Sequence, residues 1–321
     1  MRIAFFTESP FNGKVPRGDK NLRTDLAWMC SLDVDHYSLL RPLDSIEKKY
    51  DIGIFIVPKT HPEIVSRMPI VESMRRVCKK IGIMQEGPHW YFQDYPMEQQ
   101  VWFYNTLVQM DFLLCHNEMD VKYFKGLTHK PCYKMNALML EDNIESHIVN
   151  SDARDGVIIG GNMCRWYGGF DSYIVAQQFG ESVYVPTMGR KVDNEEKLEN
   201  LNHLPYMNWL DWINNLSRFR YAVHLMPTQA AGTFALNCAY HGIPCIGYKG
   251  LDTQELCFPD LTVEMGDLDK ATELTQRLKM DKDFYNNCSK ISKTIYKSIF
   301  SEKEYIYTMK QVIGEILNET N

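Results

Sequence analysis

The chain has 321 residues, 45% of them hydrophobic and 24% charged, with a formal net charge of −6 at pH 7. That length suits two domains better than one core, and the composition excludes a disordered chain. The negative charge argues against a broad electrostatic grip on nucleic acid, although a local basic patch remains compatible with it.

Residues 3–6 read as a buried strand, without the charged and apolar regions of a signal peptide. No apolar run approaches the roughly 20 residues that span a bilayer. The nine cysteines are an odd number with no C-x-x-C pair and read as reduced thiols, so the expected location is the cytoplasm. The dispersed histidines suggest no metal site. Glu8 falls at the end of the strand, where ligands collect in open α/β sheets. Residues 9–18 form a loop, and Asp19 or Asn21 is expected to cap a helix carrying Leu22, Leu26, Met29 and Cys30 on one face. Strands are expected over 37–40 and 52–57, the second apolar enough to be covered on both sides. A helix over 62–80 ends in Arg75, Arg76, Lys79 and Lys80. These cations suit a helix C-terminus and leave peripheral contact with an anionic membrane open.

A strand at 81–85 runs into EGPHWYFQDYP (86–96), where a Gly-Pro turn carries Glu86, His89 and Asp94 among four aromatic residues. Aromatic faces bury carbon-rich ligand surface while polar groups orient it. The segment therefore suits an acceptor sugar or another planar group, with Glu86 or His89 as acid or base near a reacting hydroxyl. A loop packed on the next helix, 97–110, accounts for the aromatics equally well. Strands at 112–115 and 133–138 flank a short helix from Val121 to Phe124. The repeated strand, loop and helix units predict a Rossmann-like domain with a parallel sheet, and 141–155 reads as a linker.

The second half restarts at 156–162, a strand ending in Gly160 and Gly161, with Arg165 shortly beyond. A strand at 182–186 precedes Arg190 and Lys191, and a helix runs through Ile213, Leu216 and Phe219. The run 221–248 is the most informative. Ala222 to Met226 is an apolar strand, 227–232 is a turn of small residues, and Thr233 opens a helix that Gly242 stops before a strand at 243–247. Such a turn aims free N–H groups and the positive end of the helix dipole at one point, so Gly232 and Thr233 are expected to cradle a phosphate. A turn and helix start at 249–255, a strand at 261–263, helices over 268–279 and 282–295, and a helix over 302–317 with a broad apolar stripe complete the chain. No G-x-G-x-x-G follows the first strand and no Walker loop occurs, which disfavours dehydrogenases and P-loop proteins.

The run 221–248 resembles the second domain of GT-B glycosyltransferases of the retaining type. There a strand leads to Glu-Gly-Phe-Gly, a helix with a second Glu eight positions after the first, and a Gly-x-Pro-x-Ile strand. Gly242-Ile243-Pro244-Cys245-Ile246 sets the register, placing Gln229 at the first Glu, Asn237 at the second and Gly232 at the last Gly. Both carboxylates have become amides, which donate and accept hydrogen bonds without charge. The resemblance implies an α/β fold with two Rossmann-like domains whose parallel sheets face across a cleft. An acceptor domain would cover 1–148 and a nucleotide-sugar domain 149–298, with a C-terminal helix, 299–321, crossing back to the first. It implies transfer of a hexosyl or pentosyl group from a nucleotide diphosphate sugar to an acceptor hydroxyl on a glycan or small molecule, with no metal and no permanently bound cofactor. By the same resemblance Arg165, beside Gly161, neutralises the departing diphosphate, with Arg190 and Lys191 in second rank. Asn237 keeps the second Glu's hold on the ribose hydroxyls, and Gln229 is carried over to the donor site at the first Glu's position. Tyr206, Met207, Asn208 and Trp209 line the base pocket, largely through backbone atoms, and the first loop, with Gly13, Arg17 and Gly18, faces the phosphates. Asp33-Val34-Asp35 and Asp267-Leu268-Asp269 have the Asp-x-Asp form of the other glycosyltransferase fold, but they precede a strand and start a helix, and read as structural.

Three alternatives stay open. Small glycosyltransferases, including viral ones acting in the host cytoplasm, modify hydroxymethylated DNA bases, and the loop from Trp90 to Tyr95 suits a base, against the acidic net charge. A non-catalytic nucleotide-sugar-binding GT-B protein explains the loss of both acids. A GT-B-like epimerase or phosphorylase is the third. The donor base and the oligomeric state leave no trace in the sequence.

Overall fold

A computed structural model of the chain describes residues 1–58, 65–144, 153–187 and 194–318. The chain divides into two compact units, Met1–Leu138 with Glu302–Asn321, and Met139–Ser301. The sequence reading places the hand-overs at 148/149 and 298/299.

In the first unit, β1 (Ile3–Thr7), β2 (Asp35–Ser38), β3 (Tyr50–Val57), β4 (Cys78–Gln85), β5 (Phe112–Cys115) and β6 (Cys132–Lys134) form one parallel sheet in the order β2-β1-β3-β4-β5-β6. Helices α1 (Thr24–Leu32), α2 (Ile70–Val77), α3 (Met97–Gln109) and α4 (Glu118–Thr128) lie between the strands. β1 is buried at every position, as a strand covered on both faces must be. With β2 on one side of β1 and β3 on the other, the strand order reverses there and opens a crevice at the strands' carboxyl ends.

Three local expectations need correction. The helix expected to run to Lys80 stops at Val77, and Cys78 already pairs with Tyr50, so Lys79 and Lys80 lie on a strand. Residues 59–64 lie outside the described residues. Nor are three of those four cations free. Arg75 holds Asp111 through two bonds of 2.6 and 3.1 Å, Arg76 donates to the Leu43 and Ile46 carbonyls, and Lys79 pairs with Asp51 at 2.8 Å. Neither Asp19 nor Asn21 caps α1. Asp19 accepts from the Asn21 N–H in an upstream turn, and the helix opens at Thr24, whose φ is +37°.

In the second unit, β7 (Val157–Ile159), β8 (Val183–Val185), β9 (Leu201–His203), β10 (Tyr221–His224), β11 (Cys245–Tyr248) and β12 (Thr262–Val263) form a parallel sheet in the order β12-β11-β10-β7-β8-β9. Its reversal lies between β7 and β10. Helices α5 (Gly169–Gln177), α6 (Trp209–Leu216), α7 (Thr233–His241), α8 (Asp252–Cys257), α9 (Leu268–Met280) and α10 (Lys282–Ile295) complete the unit. Arg154 closes the far end of α7, donating to the His241 and Gly242 carbonyls at 2.7 and 3.3 Å.

After a π-turn at Tyr296–Phe300, α11 (Glu302–Asn318) packs in the first unit and buries Tyr305, Met309, Val312, Ile313 and Ile316. Arg17 grips Glu302 with both guanidinium arms, one at 2.8 Å, and the Tyr305 hydroxyl reaches Met135 Sδ at 3.5 Å. Arg17, expected to face phosphate, is thereby committed to fastening α11.

Burial holds three histidines neutral. His36 meets Thr7 Oγ1 at 2.9 Å, His224 ends β10, and His241 donates to the Ile213 carbonyl at 2.8 Å. Each is pushed down from 6.5 to about 4. In the unfolded chain the same rings protonate near pH 6.5. Their contribution to stability is therefore complete above that pH and is lost as pH falls from 6.5 toward 4, at about 1.4 kcal/mol per pH unit for each ring. Asp35 and Asp111 stay low because Lys48 with Tyr50, and Arg75, outweigh burial, and Asp51 because of Lys79; their contributions disappear only below the usual 3.8. Urea midpoints followed by circular dichroism should fall steeply between pH 6.5 and 5, ahead of the losses at Asp35, Asp51 and Asp111. A flat midpoint over that interval would mean that protons reach the rings in the folded chain.

Candidate functional site

The second sheet's reversal is built by close backbone contact. Gly168, at φ +60°, caps α5 so near the Leu225 carbonyl that a Cβ would stand 1.8 Å from its oxygen. The Leu225 N–H donates to Ser172 Oγ at 2.8 Å, tying α5 to the exit of β10. Gly232, at φ +65°, caps α7, and its carbonyl accepts from Thr253 Oγ1 at 3.0 Å. Neither helix has a side-chain cap. The α5 ladder begins with Ser172 N–H to Gly168 O and the α7 ladder with Leu236 N–H to Gly232 O. The N–H groups of Gly169, Phe170 and Asp171, and of Thr233, Phe234 and Ala235, thus lie outside those ladders. Two positive helix ends converge on one reversal, the arrangement that binds anions.

Around this point the expected residues divide. Thr233 is exposed on the first turn of α7, and Gly232 is buried beneath it. Gly161, at φ +73°, turns the chain toward Tyr167, and Arg165 lies on a short 3-10 turn. The Arg165 guanidinium is exposed and has no ionic partner among the described residues. Asn237 differs from expectation. It is buried, its Oδ1 accepting from Trp212 Nε1–H at 3.2 Å and its Nδ2 donating to the Thr233 carbonyl at 3.1 Å, the amide orientation that satisfies both partners. Its expected ribose contact is replaced by a packing role that fastens α6 to the first turn of α7. Asn208 caps α6, its side chain accepting from the Asp211 N–H at 2.9 Å. Gln229 lies over the Gly250 turn, 2.4 Å from where a Cβ would sit. Tyr206 is 65% exposed. Arg190 and Lys191 lie outside the described residues.

In the first unit the crevice at the β1/β3 reversal has a volume of about 230 Å³ and is lined by Thr7, Glu8, Asp25, Pro58 and Glu86 among others. Glu8 and Glu86 come together there as their positions at strand ends suggest, and Asp25 joins them without any sequence signal. His89 stands outside this lining. Its Nδ1 meets Asp120 Oδ1 at 3.2 Å, its ring lies 4.4 Å from that of Tyr123, and Asn117 Nδ2 holds the other Asp120 oxygen at 3.3 Å. Burial pushes the Asp120 carboxyl up, and the bonds from His89 and Asn117 pull it back. With Nδ1 oriented by a buried carboxylate, the His89 Nε2 is the nitrogen left for a ligand proton. The neighbouring aromatics serve mainly as packing: Phe92 stacks on Phe103 at 4.1 Å, and Tyr95 donates to the Tyr91 hydroxyl at 2.8 Å. Asp94 is exposed, and Gly18 has open space around it.

No family model and no curated protein matches the sequence. Solved structures do. HepE from Anabaena, in complex with UDP and glucose, superposes with a TM-score of 0.68 at 9% identity, over 98% of this chain and 100% of that one. A sucrose-phosphate synthase from Thermosynechococcus elongatus gives 0.66 at 10% identity over the whole of both chains. The chain has the GT-B fold. A pneumococcal O-GlcNAc transferase, GtfA, in complex with UDP and GlcNAc, gives 0.62 at 11% identity over 86% of this chain, which spans 59% of GtfA and also 59% of the matched chain of a GtfA/B complex. Identities this low carry the fold and leave the chemistry to the site itself. The expected α/β class and pair of parallel Rossmann-like sheets are what the GT-B fold provides.

Replacing Gly232 by alanine tests the rigidity of this site. The new Cβ would meet Thr253 Oγ1 at 2.0 Å in a backbone region that L residues avoid, at a cost of about 1–3 kcal/mol. The Gly232→Ala protein should unfold at lower urea, and adding Thr253→Ala should restore part of the loss. Unchanged stability would mean that the start of α7 shifts freely.

Proposed function

We propose that the chain is a glycosyltransferase that moves a sugar from a uridine diphosphate sugar to an acceptor hydroxyl, with the donor on the second unit and the acceptor on the first. The observation that carries this is the pair of helix N-termini, both without side-chain caps, at the β7/β10 reversal beside the exposed Arg165. Two of the solved structures that share the fold are named with UDP bound, which supports the choice of uridine.

As the glycosidic bond to the leaving diphosphate lengthens, negative charge grows on the phosphate oxygens. The N–H groups of Thr233 and Phe234 are fixed before that charge appears, and the Arg165 guanidinium adds a mobile cation, so both favour the transition state over the bound donor. Metal independence is part of the proposal, because these groups take the charge that a divalent cation would otherwise take. On the first unit, Glu86 with Glu8 and Asp25 accepts hydrogen bonds from acceptor hydroxyls. His89, oriented by Asp120, takes a hydroxyl proton. All nine cysteines are free thiols, which supports a reducing, cytoplasmic setting. One rival has an observation in its favour: with amides at 229 and 237, the chain also fits a protein that binds nucleotide sugars without transferring them.

Thermal shifts with UDP, GDP and ADP should show stabilisation by UDP above the other two. Arg165→Ala should weaken UDP by about tenfold or more, the usual loss for a charge-assisted hydrogen bond. His89→Ala should leave UDP binding intact and slow UDP release from UDP-sugar and acceptor by about a hundredfold. Binding of UDP without any turnover selects the non-catalytic rival, and absence of a shift with every nucleotide overturns both.

A further inference from the structure

The first unit carries a second concavity that the crevice chemistry does not use. It is a groove of about 460 Å³ between the segment leading into α2 and the outer face of α3. Arg67 and Glu72 line one wall; Glu98, Trp102, Asn105 and Gln109 line the other. The spacing of those last four residues places them on one face of α3. The Trp102 indole is half-buried, with the Phe92 ring 6.0 Å away. The side chains of Arg67, Glu72, Glu98 and Asn105 make no hydrogen bond or ion pair with any described residue. The groove therefore offers an aromatic surface inside a ring of uncommitted donors and acceptors.

Its chemistry selects among occupants. A protein partner would have to bury Arg67, Glu72 and Glu98, and interface cores are depleted of such charges. Nucleic acid or free phosphate would meet two carboxylates against one guanidinium. A pyranose chain fits the whole set. Its apolar ring faces suit the indole, and its hydroxyls donate to the carboxylates, accept from Arg67 and do both with Asn105. The volume lies within the roughly 300–1,000 Å³ of ligand pockets.

We propose that this groove binds an oligosaccharide. Phe92 joins it to the segment that holds Glu86 and His89, stacking on Phe103 and touching Trp102. The consequence for the reaction rests on the glycosyltransferase reading: the acceptor is a glycan chain whose remote residues lie along α3. The binding itself does not rest on it.

The test is calorimetric titration of the full chain, without donor, with maltohexaose, cellohexaose and chitohexaose, and with glucose as the monosaccharide control. At least one hexasaccharide should bind more tightly than glucose. Trp102→Ala should weaken it about five- to tenfold, as expected for loss of an aromatic contact, with Trp102→Phe retaining most of the affinity. Because Trp102 also packs inward, Asn105→Ala supplies the control for folding: its exposed side chain can be removed with an unchanged melting temperature, and binding should still weaken. The UDP-induced thermal shift should stay as in the wild type for every variant. Absence of hexasaccharide binding, or binding that all the variants leave unchanged, overturns the proposal. Binding without sugar transfer to the bound chain keeps the groove and counts against the transferase reading alone.

Discussion

The contact on which the second unit depends is backbone against backbone, Gly168 on the Leu225 carbonyl. A side chain at 168 would push α5 away from the end of β10 and with it the N-terminus that α5 brings to the β7/β10 reversal. The bond from the Leu225 N–H to Ser172 Oγ locks the same approach from inside the helix. Elsewhere in this unit, α6, α9 and α10 start with Asn208, Asp267 and Asp281, each accepting a hydrogen bond from its own first turn. Such a cap is worth about 1 kcal/mol. At the reversal, α5 and α7 start with left-handed glycines and have no side-chain cap. Lack of a cap is not the signature by itself, since α1 to α4 of the first unit also do without one. The signature is that two such starts coincide at one reversal, where a phosphate would satisfy the N–H groups that a side chain leaves alone.

The two units solve the same topological problem with opposite chemistry. Each sheet reverses its strand order once and opens at the carboxyl ends of its strands. In the first unit carboxylates collect at that opening, and in the second helix N-termini do. Carboxylates accept from hydroxyls and repel phosphate, while N–H groups do the reverse. On the proposed function, a sugar and a nucleoside diphosphate would therefore be sorted to different units before any side chain distinguishes one sugar from another.

What the sequence revealed follows from how locally each feature is encoded. The parallel strands were legible because a strand buried on both faces is a continuous apolar run, as in 52–57 and 222–226. The turn before Thr233 was legible because strand, small-residue loop, helix and terminating Gly242 follow one another without interruption. The boundary at Val77 and Cys78 was not, because a row of cations reads as a helix C-terminus and nothing local reveals that Cys78 pairs with Tyr50. The packing role of Asn237 was hidden for a related reason. An amide in a ligand-binding motif looks like a ligand contact until Trp212 and the Thr233 carbonyl are seen to occupy it. Asp120 gave no signal, because its partner His89 is distant in sequence. The groove along α3 left no trace because half of it comes from the approach to α2.

The net charge of −6 makes the form of the proposed donor site intelligible. A diphosphate approaching this protein gains nothing from its overall field, which at physiological salt decays over about 8 Å. Attraction must come from groups that act at contact range. Backbone N–H groups at helix ends do so without adding a formal charge that would have to be balanced elsewhere in the fold, and their orientation is set by the glycine contacts before the ligand arrives. A cluster of lysines would have given the same attraction over a longer range, but with flexible side chains that lose freedom on binding. On the proposed function, an acidic protein would hold a doubly charged group with few side-chain cations, provided the backbone around them is rigid. The contacts of Gly168 and Gly232 supply that rigidity, so these two positions would matter to anion binding as directly as Arg165.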